Sequence, residues 1–131
     1  MSYQNERRLS PAEFPLADGV VLKRIDGDTW TNVKQAAIYH SPTDFDWGYA
    51  GSAPADLALN ILEAVLLREG YEGGRIKVWK HYTCFQVAWF MHQAFKEAYI
   101  AVLPTEGGII PYQEIVSWMG DKMQNIHEVQ A

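Results

Sequence analysis

VVLKRIDGDTWTNVKQAAIY, Val20 to Tyr39, places apolar and β-branched residues on both sides of the turn signal Asp26-Gly27-Asp28. Asp-Gly accepts the positive φ that a two-residue hairpin turn requires, so the stretch predicts a β-hairpin. A hairpin this early sets up a sheet before any helical pattern begins, and the rest of the chain has to pack against it.

The next stretch, HSPTDFDWGYAGSAP (His40 to Pro54), is rich in turn formers and has no sustained period. It predicts a long loop, or a loop holding one short strand over Phe45 to Tyr49. A helix is expected from Ala53 to Glu69, with Ser52 as N-cap, Pro54 in the first turn and Asp56 set where a carboxylate favours the helix dipole. Ala58, Ile61, Leu62 and Val65 give it an apolar face that Leu59 and Leu66 widen, and Gly70 stops it. Ile76 and Val78 alternate with Lys77 and Lys80 after a Gly73-Gly74 turn, the pattern of a short strand. A long helix is predicted over Thr83 to Leu103, carrying Phe85, Ala88, Trp89, His92, Phe95 and Tyr99 on one side and Val87, Phe90, Met91, Ala94 and Ala98 on another. So much apolar girth predicts a central helix or a homodimer interface. Beyond Pro104, Ile109-Ile110 would add to a sheet edge. Pro111 would open a last helix with Ile115, Trp118 and Met119 facing the core, Gly120 closing its regular part, and a polar tail continuing as a frayed helix.

Strands mostly preceding helices predict an α+β domain, a small and mainly antiparallel sheet packed against about three helices. At 131 residues one core is expected; the domain would occupy residues 18–131, behind a flexible arm over residues 1–17.

Sixteen acids against 11 bases give a net charge of -5 with no basic stripe, which opposes direct nucleic-acid binding. The same balance suits solubility or a basic protein partner. Cys84 is the only cysteine, which excludes an intrachain disulfide and a thiolate zinc cluster. Met1 to Phe14 lacks the apolar segment of a signal peptide, and the apolar run Ala88 to Leu103 is broken by His92, Gln93, Lys96 and Glu97. A cytoplasmic protein away from membranes is expected.

The Asp44 to Asp56 loop is the strongest candidate site, with Asp44, Asp46, Trp47, Tyr49 and Ser52 as candidate ligand-binding residues. Gly48, Gly51 and the helix N-terminus could cradle an anion, but the spacing is not that of a phosphate-binding loop, and tight turns account for the glycines. Asp44, Asp46 and Asp56 with His40 could gather a hard metal, but they do not match an EF-hand; turn and helix-end roles rank above metal binding. Trp47 and Tyr49 could stack on a base or sugar ring; burial of Phe45, Trp47 and Tyr49 along one strand face ranks higher. His81 and His92 lie too far apart along one helix to share a metal, and a core role suits His92 better. Cys84, three residues after His81, would be a nucleophile only with further groups that the local sequence lacks, so a buried structural thiol is the preferred reading. No catalytic residue, metal ligand or cofactor is assigned.

HSPTDFDWGYAGSAPADLALNIL (His40 to Leu62) resembles the signature of a family of small uncharacterised domains found in bacteria and in phages, plasmids and other mobile elements. A weaker similarity runs through AFKEAYIAVLP (Ala94 to Pro104) and QEIVSWM (Gln113 to Met119), where the family places a helix ending at Leu-Pro and a last helix with an Ile-x-x-Trp core. The chain departs from the pattern at Ala50 and Ala53, often glycine in the family, and in its long segment between Leu62 and Ala94. The resemblance implies mobile-element cargo and carries no activity or catalytic residue with it. The resulting expectation is a non-enzymatic binding protein, an inhibitor or modulator of a host nuclease or defence complex acting through protein contacts. The alternative is a small-molecule or nucleotide-binding domain with its pocket at the Asp44 to Asp56 loop.

Overall fold

The structure, a computed structural model, describes residues 14–33, 45–79 and 82–130. Along the chain these form β1 (Val20–Ile25), β2 (Asp28–Thr31), α1 (Ser52–Arg68), β3 (Arg75–Trp79), β4 (Tyr82–Phe85), α2 (Gln86–Phe95), β5 (Gly107–Ile110) and α3 (Tyr112–Gln130). The fold is α+β, as the strand and helix patterns predict, with three helices and antiparallel sheets of three and two strands.

β1 and β2 form the expected hairpin, with Ile25 opposite Asp28. Asp26 and Gly27 both have positive φ, 51° and 86°, the backbone a two-residue turn needs to match strand twist. β5 pairs antiparallel with the other edge of β1, so Ile109 and Ile110 join the sheet and its order is β2-β1-β5. Side chains alternate across a strand. Val20, Leu22 and Ile110 therefore face the core and are buried, while Val21, Lys23, Ile25, Trp30 and Ile109 share the outer face. Ahead of β1, Asn32 donates to the carbonyls of Phe14 and Gly19 and accepts from the Val21 N–H, tying residues 14–19 to the hairpin.

α1 is the central helix. Leu57, Ala58, Leu59, Ile61, Leu62 and Val65 are fully buried, and so, nearly, are the polar Asp56, Asn60 and Glu63. The apolar girth of the 83–103 segment suggests that the later helix is the central one, yet α2 buries mainly Val87, Ala88, Met91, His92 and Phe95 and leaves Phe90 exposed. α1 ends where Gly70 predicts. Gly70 has φ +79°, its N–H donates to the Leu67 carbonyl and the Tyr71 N–H donates to that of Leu66, the paired closure of a glycine-terminated helix.

Several elements differ from the sequence expectation. The N-cap of α1 is Gly51, not Ser52, and no side chain caps the helix. Asp56 sits a turn inside, buried, and the first turn holds no acid. Residues 45–49 form no strand. The 83–103 helix starts only at Gln86, because residues 82–85 pair with β3 to make a second sheet. α3 runs through Gly120 to Gln130; a lone glycine costs a helix only about 1 kcal/mol, less than is gained by packing Met119 before it and Met123 after it against the core.

The second sheet is held by a buried carboxylate. Glu63, 2 % exposed, accepts from the Phe85 N–H at 2.5 Å and from Arg75 Nη2 at 2.9 Å. Arg75 also donates to Thr83 Oγ1 and to the Thr83 carbonyl, and its guanidinium lies 4.4 Å from the Phe85 ring centre. The strands are neighbours in sequence, but the Glu63 carboxylate that takes the Phe85 N–H is distant, which is why a helical reading of Thr83 to Phe85 fails. Glu63→Gln offers one oxygen to two donors and turns an amide N–H₂ toward one of them, so it is expected to lower stability by about 2 kcal/mol. A urea midpoint equal to that of the parent would remove the anchoring role.

Candidate ligand pocket at the hairpin and the Asp46 loop

Arg24 is the last inward-facing residue of β1, and its side chain reaches over the loop that precedes α1. Its Nη2 donates to Asp46 Oδ1 at 2.7 Å, its Nε donates to the Thr105 carbonyl at 2.9 Å, and its guanidinium lies 4.9 Å from the Trp47 ring centre. Trp47 Nε1 donates to the same Thr105 carbonyl at 3.0 Å. One carbonyl ahead of β5 thus fixes both the cation and the indole.

Asp46 gathers the loop. Its Oδ1 also accepts from the Trp47 N–H at 2.9 Å, and its Oδ2 accepts from Tyr49 Oη at 3.2 Å. Burial tends to raise the Asp46 carboxyl, but the hydrogen bonds from Arg24, Trp47 and Tyr49 and the Arg24 charge outweigh it and hold the group below its ordinary value. Tyr49 moves the opposite way, pushed up by burial and by the neighbouring Asp46 carboxylate. Thr29 Oγ1, on β2, donates to the Phe45 carbonyl and fastens the start of the loop to the hairpin.

Between hairpin and loop lies an open pocket of about 310 Å³, lined among others by Arg24, Asp28, Thr29, Asp46, Tyr49 and Ala53. Of the five residues expected to bind a ligand, Asp46 and Tyr49 line it. Trp47 and Ser52 do not, and Asp44 lies outside the described residues, as do His40 and His81. Trp47 is only 2 % exposed and is a core residue, whereas Tyr49 is 47 % exposed; alternate burial of Phe45, Trp47 and Tyr49 along one face therefore fails at Tyr49. The pocket residues that the sequence did not suggest are Arg24, Asp28 and Thr29. Hairpin pairing brings them there, and no local motif announces it.

The glycines serve the backbone. Gly48 has φ +87° and gives its N–H to the Ile100 carbonyl. That carbonyl lies in a π-helical turn, Lys96–Ile100, which continues α2. The N–H is therefore committed within the protein and does not form part of an anion cradle. A side chain at Gly51 would meet the Tyr49 ring at 2.7 Å, so glycine there lets the ring lie against the backbone.

Other candidates resolve into core roles. Cys84 lies on β4, not at a helix N-terminus, and is buried; burial, with the nearby Glu63 carboxylate adding to it, pushes its thiol up to about 12. His92 is 2 % exposed, with its ring 4.6 Å from that of Trp89 and Nδ1 2.7 Å from the Trp89 carbonyl. Among the described residues, no three His, Cys, Asp or Glu side chains come together as a metal would need, and no helix is long and apolar enough to cross a membrane.

Residues 11–73 match the model of a family of unknown function (DUF6166). The match covers the hairpin, the Asp46 loop and α1, and ends before β3; the weaker likeness expected at Ala94 to Pro104 and Gln113 to Met119 lies beyond it. No curated protein and no solved structure matches the chain.

Proposed function

We propose that this is a non-enzymatic binding protein that acts through protein contacts made by the outer face of the β2-β1-β5 sheet. The observation that carries the reading is the cluster of Trp30, Ile25 and Ile109 on that face, 40 %, 38 % and 58 % exposed, around Val21 and Lys23. Large exposed apolar side chains grouped on one surface mark interaction sites, and a tryptophan is a favoured anchor. Asp26 and Asp28 edge the cluster at the hairpin turn. Together with the net charge of -5, they favour a partner surface that is apolar and basic, such as a nucleic-acid-handling protein presents. The family resemblance of the His40 to Leu62 block supports placing the protein among the inhibitors or modulators of a host nuclease or defence complex carried by mobile elements.

Trp30→Glu should leave the melting temperature almost unchanged, because the side chain faces outward. It should abolish capture of any stoichiometric partner from bacterial lysate, and the captured complex should weaken as salt is raised. Failure to recover a partner, or a partner that Trp30→Glu still captures, overturns the proposal.

A second reading, a small-molecule-binding domain, is favoured by the pocket at Arg24, Asp46 and Tyr49. That pocket lies at the inner side of the hairpin, away from the Trp30 face, so the two readings are separable by mutation.

A further inference from the structure

We infer that the pocket at the hairpin takes an uncharged, hydroxyl-rich ring, a saccharide residue, stacked on the open side of Tyr49 and held by Arg24 and Asp46. The inference rests on the small-molecule reading of the pocket and deepens it.

Charge selects against the obvious alternatives. Arg24 and Asp46 neutralise each other at 2.7 Å. The Asp46 carboxylate opposes a phosphate or a nucleotide, and the pair leaves no net positive charge to offset it. A cation meets the Arg24 guanidinium. A neutral ligand meets neither penalty.

Hydrogen-bonding capacity selects for hydroxyls. Arg24 spends Nε on the Thr105 carbonyl and one N–H of Nη2 on Asp46; Nη1 has no partner among the described residues. It is a donor group whose direction is already fixed by two bonds and by the Trp47 ring beneath it. Beside it stand acceptors: the Asp46 carboxylate, and the oxygens of Tyr49 and Thr29, whose protons are already given to Asp46 and the Phe45 carbonyl. A ligand must then accept at one point and donate at several, which adjacent hydroxyls on one ring do because each is both donor and acceptor.

The Tyr49 ring supplies the flat apolar wall. Its hydroxyl is held by Asp46 and the ring lies against Gly51, so it is braced at the rim while remaining 47 % exposed. The C–H face of a sugar ring buries against such a surface without any charge. The volume, about 310 Å³, is at the lower end of small-ligand sites.

The test is an amide NMR titration with methyl glycosides of glucose, galactose, mannose and N-acetylglucosamine at millimolar concentrations, with ATP and inorganic phosphate run in parallel. At least one glycoside should shift the amides of Arg24, Asp46, Tyr49 and Ala53 together. Tyr49→Ala should weaken that binding by about tenfold with the melting temperature little changed, and Tyr49→Phe should retain most of it. If ATP or phosphate shifts these amides and no glycoside does, the saccharide inference falls while the pocket reading stands. If none of the probes shifts them, both fall. Glycoside binding that Tyr49→Ala leaves intact also overturns the inference.

Discussion

Trp47→Ala is expected to cost about 4 kcal/mol of folding stability, the upper range for removing a large aromatic from a core. The indole is 2 % exposed and belongs to the main hydrophobic cluster. Its loss opens a cavity in that cluster and removes the surface on which the Arg24 guanidinium rests. Trp47→Phe separates the terms. It keeps most of the apolar volume and loses only the bond from Nε1, and the Thr105 carbonyl is still satisfied by Arg24 Nε. A loss of about 1–2 kcal/mol is expected for it. Urea unfolding followed by far-ultraviolet circular dichroism measures both changes. An alanine variant within about 1 kcal/mol of the parent would mean that Trp47 is not the keystone of this loop.

Gly107→Ala should be nearly as damaging, at about 3 kcal/mol, although it adds one methyl group. Gly107 has φ +100°, where a side chain is strained by about 1–2 kcal/mol. A Cβ there would also collide with the backbone of Leu22, both its carbonyl oxygen and its carbonyl carbon. Backbone cannot swing aside as a side chain can, so β5 must draw back from β1. The retreat pulls on the Thr105 carbonyl two residues earlier, and with it on Arg24 and Trp47. Gly108→Ala is the control, since its added carbon would meet only Leu103 Cδ2 at 3.7 Å, an ordinary contact. Equal urea midpoints for the two variants would refute the clash. If Gly107→Ala also disturbs the pocket, its amides should shift most at Arg24 and Asp46.

The features legible in the sequence are those fixed by neighbours along the chain. Asp26-Gly27 specifies its turn whatever the rest of the protein does, and Gly70 ends α1 as its own N–H bonds to the Leu67 carbonyl and that of Tyr71 to the Leu66 carbonyl. Ile109-Ile110 announces a strand by apolar character alone. β4 is not legible because no turn signal stands between it and β3, and the Phe85 N–H at its end is received by the distant Glu63 carboxylate. The helical spacing that begins at Phe85 extends back over β4 by coincidence. Gly120 fails to end α3 for the converse reason: packing of Met119 and Met123 on either side of it overrides a weak local preference.

The candidate site shows the same division. The loop was legible as a place, from its glycines and its position before α1, and Asp46 and Tyr49 do line the pocket. Its partners were not legible, because Arg24 and Thr105 come from distant parts of the chain and neither lies in a motif. The open aromatic could not be assigned either, since alternation treats Trp47 and Tyr49 alike. Only the turn at Gly48, bonded to the π-helical turn at Ile100, puts one ring in the core and the other at the rim.

The β1–β5 ladder joins Val20 to Ile110, 90 residues later in the chain. Closing so long a loop is entropically slow, and it gains nothing until everything between the two strands is compact. The hairpin and α1 can form early from local contacts, but the Thr105 carbonyl reaches Arg24 and Trp47 only when β5 docks. The pocket is therefore among the last parts of the molecule to be assembled and, on the reverse path, among the first to open.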